Sequence, residues 1–219
     1  IDGTAIDNVL REAVDSGGVP HVAAIAASPD GVIYQGAAGP RAVGESDPVT
    51  VDTLFRIMSM TKMPCTVVAL QQVEQGHIDL DAPVADYCPE FAEIQVLTGF
   101  DGDTPVLRPP ARQATVKNLV THTSGLGYWF WSEDLVKWES VTGIPNVVAG
   151  SAACLTAPML ADPGSAFIYG INIDWLGKVL EAVTGVGLDV AIKQGITGPL
   201  GMDRTTFLMN DEQRPNSTP

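Results

Sequence analysis

Ser59-Met60-Thr61-Lys62 places a hydroxyl and an amine three residues apart. At the start of a helix, positions i and i+3 share a face, so the two groups can meet. A serine hydroxyl is a weak nucleophile until a neighbouring base takes its proton. A lysine can be that base only when neutral, which needs desolvation or a second cation nearby. The helix start adds free backbone N–H groups, and that of Ser59 can face a developing oxyanion. Tyr169, in Phe167-Ile168-Tyr169-Gly170, stands just before an apolar helix, where its oxygen can relay a proton.

Other residue types offer less. Cys65, Cys88 and Cys154 are odd in number and widely spaced with no CxxC, so buried free thiols are expected rather than a disulfide framework or a zinc site. His21, His77 and His122 lie at no metal-ligand spacing, and neither a metal nor a cofactor is expected. His122 could suggest a Ser-His-Asp site, but no G-x-S-x-G occurs, and a structural role at a helix end is the better reading. Asp101 and Asp103 read as a solvated turn, because the other ligands of a calcium loop are missing. Asn172 and Asp174 read as caps of the following helix. Tyr128-Trp129-Phe130-Trp131 is a dense aromatic run in a chain with 6% aromatic residues. Tyr128 and Trp129 are the candidate substrate-binding wall, with helical-domain core as the competing role.

Several elements must position these residues. Ile6, Val9, Leu10, Ala13 and Val14 form one apolar helix face, stopped by Ser16-Gly17-Gly18. His21 to Ala27 and Val32 to Gly36 read as strands around the turn Ser28-Pro29-Asp30-Gly31. Leu54 to Ile57 is a short strand-like run. A helix follows from Ser59 to Gln75, with Pro64 tolerated in its first turn and Met63, Val67, Leu70 and Val73 spaced for a buried face. Thr115 and Ser132 are caps for two further helices, the second ending at Gly143. Leu176, Val179, Leu180 and Val183 form another stripe, closed by Gly185. Ile94 to Thr98 and Val106-Leu107 flank a hairpin turn, and Thr205 to Met209 is one further strand candidate. The expected fold class is α+β: an antiparallel sheet flanked by helices, plus a mostly helical domain. Residues 1–62 are assigned to the first part of the sheet domain, 63–204 to the helical domain, and 205–219 to a return to the sheet.

The chain has 219 residues, 45% of them hydrophobic, enough for a sizeable core. A net charge of −14 opposes phosphate backbones and anionic lipid, so neither nucleic acid nor a membrane is an expected partner. No apolar run approaches the ~18 residues of a membrane span. The cytoplasm is the assigned compartment. Ile1 and Pro219 read as cuts, so a targeting segment is unread.

Phe55-Arg56-Ile57-Met58-Ser59-Met60-Thr61-Lys62 resembles the serine motif of the serine β-lactamase-like hydrolases. So do Leu80-Asp81-Ala82-Pro83-Val84-Ala85-Asp86-Tyr87, Leu119-Val120-Thr121-His122-Thr123-Ser124-Gly125-Leu126 and Gly198-Pro199-Leu200-Gly201-Met202, which are scaffold signatures of the same superfamily. The resemblance runs along the whole chain in order. Within the superfamily it is most similar to the family VIII carboxylesterases, because Ser59 to Tyr169 is a longer span than class C β-lactamases usually have. The hairpin before His122-Thr123-Ser124-Gly125-Leu126-Gly127-Tyr128 also looks like the esterase version.

The resemblance implies a β-lactamase/transpeptidase-like fold and cleavage of small carboxylic esters through an acyl-enzyme. Ser59 would be the nucleophile, with Lys62 and Tyr169 sharing the general-base work. β-Lactam hydrolysis, D-aminopeptidase activity and acyl transfer are alternatives on the same scaffold, and a non-catalytic ligand-binding protein is an alternative of another class. Two departures matter. The lactamase Y-x-N motif would put Asn at 171, but Ile171 is there and Asn172 follows. The family's Lys/His/Trp-x-Gly triplet on a central strand is absent, and it is expected in a second chain or further segment that completes the sheet.

Overall fold

The structure is a computed structural model and describes residues 2–218. The chain divides into two compact units, Ile1–Met58 with Arg204–Pro219, and Ser59–Asp203.

In the first unit, helix α1 (Gly3–Asp15) starts at Asp2, whose side chain accepts a hydrogen bond from the Thr4 N–H at 3.0 Å. Strands β1 (Val22–Ser28) and β2 (Gly31–Ala38) pair antiparallel, with a register shift between Ala26 and Ala27. The expected helix and hairpin are therefore present. Helix α1 packs on β2, where the Tyr34 hydroxyl donates to Asp7 at 2.8 Å.

Two strand expectations in this unit fail. Leu54 to Ile57 contains only a single parallel bridge, between Leu54 and Ser217. The Leu54 N–H donates to the Asn216 carbonyl at 2.8 Å, and the Thr218 N–H donates back to the Leu54 carbonyl at 2.9 Å. The chain therefore returns through 216–218. Thr205 to Met209 forms no strand. β-Propensity is realised only where a neighbouring strand supplies the ladder, and neither segment has one among the described residues.

The second unit is mainly helical. Its helices are α2 (Lys62–Glu74), α3 (Val116–Val120), α4 (Glu133–Thr142), α5 (Asn172–Thr184) and α6 (Leu188–Ile192), with one hairpin, β3 (Val96–Asp101) and β4 (Thr104–Arg108). Helix α5 is the hub and packs against α2, α3 and α6. Its Leu176, Val179 and Leu180 are fully buried, and each contributes about 1.5–3 kcal/mol of transfer free energy. Gly185, in the left-handed region at φ 70°, ends α5 as expected. Thr115 and Asn118 form a reciprocal capping box at α3, and Ser132 caps α4, which ends at Gly143.

The expected buried face of α2 is largely wrong, and of its four residues only Val73 packs against the core. Cys65, Val68 and Ala69 are buried, whereas Met63, Val67 and Leu70 are exposed. Helix α2 carries apolar residues on two stripes, so periodicity alone could not choose between them. Packing against α5 and α6 makes the choice.

A bidentate pair fixes the loop after β4. Arg108 donates to both carboxylate oxygens of Asp162 at 2.8 and 2.7 Å, and the Ala111 N–H adds a bond at 2.8 Å. The guanidinium of Arg108, helped by that N–H, holds the Asp162 carboxyl down at about 2.

Candidate active site

Met58 has a left-handed backbone, φ 46°, which is uncommon for a residue with a Cβ. The chain turns there into a short 3-10 helix, Met58–Thr61, which runs directly into α2. Ser59 is thereby exposed at the helix start and Lys62 is half-buried one turn later. Lys62 Nζ lies 3.3 Å from Ser59 Oγ.

A shorter bond goes elsewhere. Lys62 Nζ lies 2.8 Å from the Tyr128 hydroxyl. It also sits 5.1 Å from the centre of the Tyr169 ring, close enough for a cation–π attraction. Tyr128 and Tyr169 meet edge to face with ring centres 5.5 Å apart. Three of the sequence-predicted residues, Ser59, Lys62 and Tyr169, thus share one cluster with Tyr128.

Tyr128, assigned from sequence to a substrate wall, is 7% exposed, and its hydroxyl is engaged by Lys62. Trp129 is half-buried, packs edge-on against Phe130, and lines a small pocket of about 10 Å³ with Leu135, Glu139 and Cys154. Its indole Nε1 is buried without a partner among the described residues. Beyond Tyr128, Phe130 stacks on its ring at 4.9 Å, and Trp131 follows at 5.4 Å from Phe130. Phe130 and Trp131 are 48% and 74% exposed, so an aromatic ridge runs from the cluster to solvent.

The two tyrosines are brought together by Asn172 and Gly170. Asn172 is not a helix cap. The N-cap of α5 is Ile171, and the Asn172 side chain is fully buried. Its Oδ1 accepts from Ser124 Oγ at 2.6 Å, and its Nδ2 donates to the carbonyls of Leu126 at 3.0 Å and Ile168 at 3.2 Å. It therefore clasps the loop leading to Tyr128 to the loop bearing Tyr169. Gly170 allows the same approach, because a Cβ there would overlap the backbone of Leu126 and Gly127.

The electrostatics favour a resting ammonium. Burial pushes Lys62 down, but the Tyr128 hydrogen bond and the electrostatic pull of Tyr128, Tyr169 and Asp174 outweigh it, and the net direction is up. Tyr128 is itself pushed up, chiefly by burial, with Lys62 opposing. The two directions agree: at neutral pH the pair is an ammonium donating to a neutral phenol. Asp174, in the first turn of α5, is raised by burial and drawn back down by Lys62.

His122 was read from sequence as structural, yet its ring lies 4.8 Å from that of Tyr169. Burial and the nearby Lys62 charge push it down to about 4. Neither His122 nor Tyr128 announces these contacts locally, since both depend on loops separated in sequence from α2. Cys65, one turn after Lys62, is a poor nucleophile, because burial raises its thiol to about 12. Among the described residues no cluster of three or more His, Cys, Asp or Glu side chains could hold a metal ion.

The Beta-lactamase family pattern matches residues 6–219. The chain belongs to the β-lactamase family. It is 35% identical over 208 residues to the lovastatin esterase of Penicillium rubens, covering 92% of this chain and 52% of that protein. It is 34% identical over 219 residues to the monacolin J acid methylbutanoyltransferase of Aspergillus terreus, covering 96% of this chain and 52% of that one. Among solved structures, it superposes on unliganded simvastatin synthase (LovD) from Aspergillus terreus with a TM-score of 0.86 at 31% identity, covering 100% of this chain and 58% of that one. EstCE1, a hydrolase with promiscuous acyltransferase activity, gives a TM-score of 0.80 at 28% identity, covering 98% and 55%.

The fold expected from the sequence motifs is therefore the fold found, and the chain spans about half the length of the curated relatives it matches. Two triplets, Trp175-Leu176-Gly177 and Lys193-Gln194-Gly195, have the letters of the family's strand motif. One lies within α5 and the other in the π-helical turn Lys193–Thr197, so neither is on a strand. No helix of the described residues is long and apolar enough to cross a membrane.

Proposed function

We propose that this protein transfers acyl groups through Ser59, cleaving a carboxylic ester to form an acyl-serine that passes to water or to an alcohol. The observation that carries the reading is the position of Lys62 Nζ, bonded to both Ser59 Oγ at 3.3 Å and Tyr128 Oη at 2.8 Å.

In the proposed cycle Lys62 first passes its extra proton to solvent, relayed through the phenol cluster. The neutral amine takes the Ser59 proton as Oγ attacks the ester carbonyl. The tetrahedral intermediate collapses, the C–O bond to the alkoxide breaks, and a proton from Lys62 or Tyr169 leaves with the alcohol. Water or a second alcohol, deprotonated by the same groups, then attacks the acyl-serine and restores Ser59. The exposed ridge of Phe130 and Trp131, which starts from Tyr128 and Trp129, supplies apolar surface for the acyl or alcohol portion.

Transfer to an alcohol is a specific second reading, supported by acyltransferases among the relatives at 34% identity. Hydrolysis is supported by the esterase at 35%. In the intact protein, a fluorophosphonate should label Ser59 and Ser59→Ala should abolish turnover of p-nitrophenyl butyrate. Full turnover in that variant sinks the proposal. Added alcohol should divert the acyl group into a new ester if transfer dominates, whereas release of free acid alone supports hydrolysis.

A further inference from the structure

We infer that His122 is a positioning residue for Tyr169, its ring bracing the phenol against Lys62 while its backbone ties down the loop that carries it. The inference rests on the proposed use of Ser59, Lys62 and Tyr169, and it adds a residue that touches none of the reacting atoms.

Three observations converge on His122. The first is its backbone. His122 follows α3 with φ 54°, in the left-handed region that histidine tolerates better than most residues. That turn aims two carbonyls at one segment. The His122 carbonyl accepts from the Ile168 N–H at 2.8 Å, and the Thr123 carbonyl accepts from the Gly164 N–H at 2.6 Å. The Tyr169 loop is thus clipped along its length, and the last clip is one residue before the tyrosine.

The second is the ring. It lies 4.8 Å from the Tyr169 ring, tilted 39°, and 5.9 Å from Phe167 at 62°. The imidazole is therefore wedged between the phenol and an exposed aromatic, on a phenol whose ring centre is 5.1 Å from Lys62 Nζ. Moving the wedge tilts the phenol relative to the amine.

The third is an unpaired polar atom. His122 Nδ1 is buried without a hydrogen-bond partner among the described residues, an arrangement that costs stability. An aliphatic side chain would avoid that cost but would not offer a flat ring at this backbone conformation. Burial and the Lys62 charge also keep the imidazole neutral, so it braces Tyr169 without placing a second cation beside the amine.

The test compares three variants of the intact protein. Rates are normalised to the fraction of Ser59 that a fluorophosphonate titrates, which separates misfolding from altered chemistry. His122→Asn keeps the left-handed backbone tolerance and removes the ring. It should lower kcat on p-nitrophenyl butyrate at least tenfold with KM within about threefold. His122→Phe keeps a flat ring and should retain kcat within about threefold. Phe167→Ala removes a side chain that is 70% exposed, and it should lower kcat about threefold by freeing the outer face of the wedge. Equal losses in the Phe and Asn variants would show that a flat ring at this position does not sustain kcat, and would overturn the inference. Unchanged kcat in both His122→Asn and Phe167→Ala would overturn it as well. If Ser59 is not labelled in the unaltered protein, the failure lies with the reading of the nucleophile.

Discussion

Lys62 makes its shortest hydrogen bond to Tyr128, at 2.8 Å, and not to the serine one helical turn away. The amine is therefore anchored from outside its own helix. Its charge state is set by the loop after α3 as much as by burial.

Tyr128→Phe should expose that dependence. The hydroxyl raises Lys62, so its loss should move the alkaline-rising limb of the kcat profile to lower pH. The amine also loses its anchor, and kcat should fall roughly 10²-fold, the low end of the range for a positioned acid or base. A pH–rate profile with an unmoved limb and full kcat would show that Tyr128 merely fills space.

Asn172→Ala should destabilise the protein by about 2–4 kcal/mol. It removes a side chain with three buried bonds and leaves Ser124 Oγ and two carbonyls to find other partners. Calorimetry should show a lower Tm, and the surviving folded protein should turn over slowly, because the Tyr128 and Tyr169 loops are no longer clasped.

Stability should fall in acid in two stages. His122 is depressed from 6.5 to about 4 in the folded state, so the unfolded chain binds its proton first. The stabilisation is complete above pH 6.5 and is lost as pH drops toward 4, by at most about 3 kcal/mol. Asp162, held at about 2, contributes stability that is complete above its ordinary value of 3.8 and is lost as pH falls from there through 2. Urea midpoints measured from pH 8 to 2 should decline in both stages in the protein, and the stage between 6.5 and 4 should flatten in His122→Phe.

Cys65 and Cys88 should resist thiol reagents at pH 8. Burial raises them to about 12 and about 11, and only the thiolate reacts. Both should titrate with a disulfide reagent in denaturant. Rapid labelling of either in the native protein would contradict its burial in the core.

Much of the site was legible because its parts are local. Ser59 and Lys62 share a helical turn, and Thr115, Ser132, Gly143 and Gly185 mark helix ends through their own chemistry. Tyr169 came from the order of motifs along the chain. The bond between Lys62 and Tyr128 has no local signature, since only α5 and its clasp at Asn172 bring the two loops together. The same limit explains α2. Met63 and Cys65 lie on stripes of similar hydrophobicity, and the partner helix decides which is covered. Leu54 to Ile57 has strand composition, but among the described residues the only pairing found for it is one bridge at Ser217.

The aromatic ridge gives the molecule a built-in optical signal. Trp138 and Trp175 are buried at 5% and 3%, whereas Trp131 is 74% exposed. Trp131 therefore dominates the part of the emission that a dissolved quencher can reach. It is linked to Tyr128 through the stacked ring of Phe130. A group lying along the ridge would shield that indole, so acrylamide quenching reports occupancy of the cluster without any attached dye.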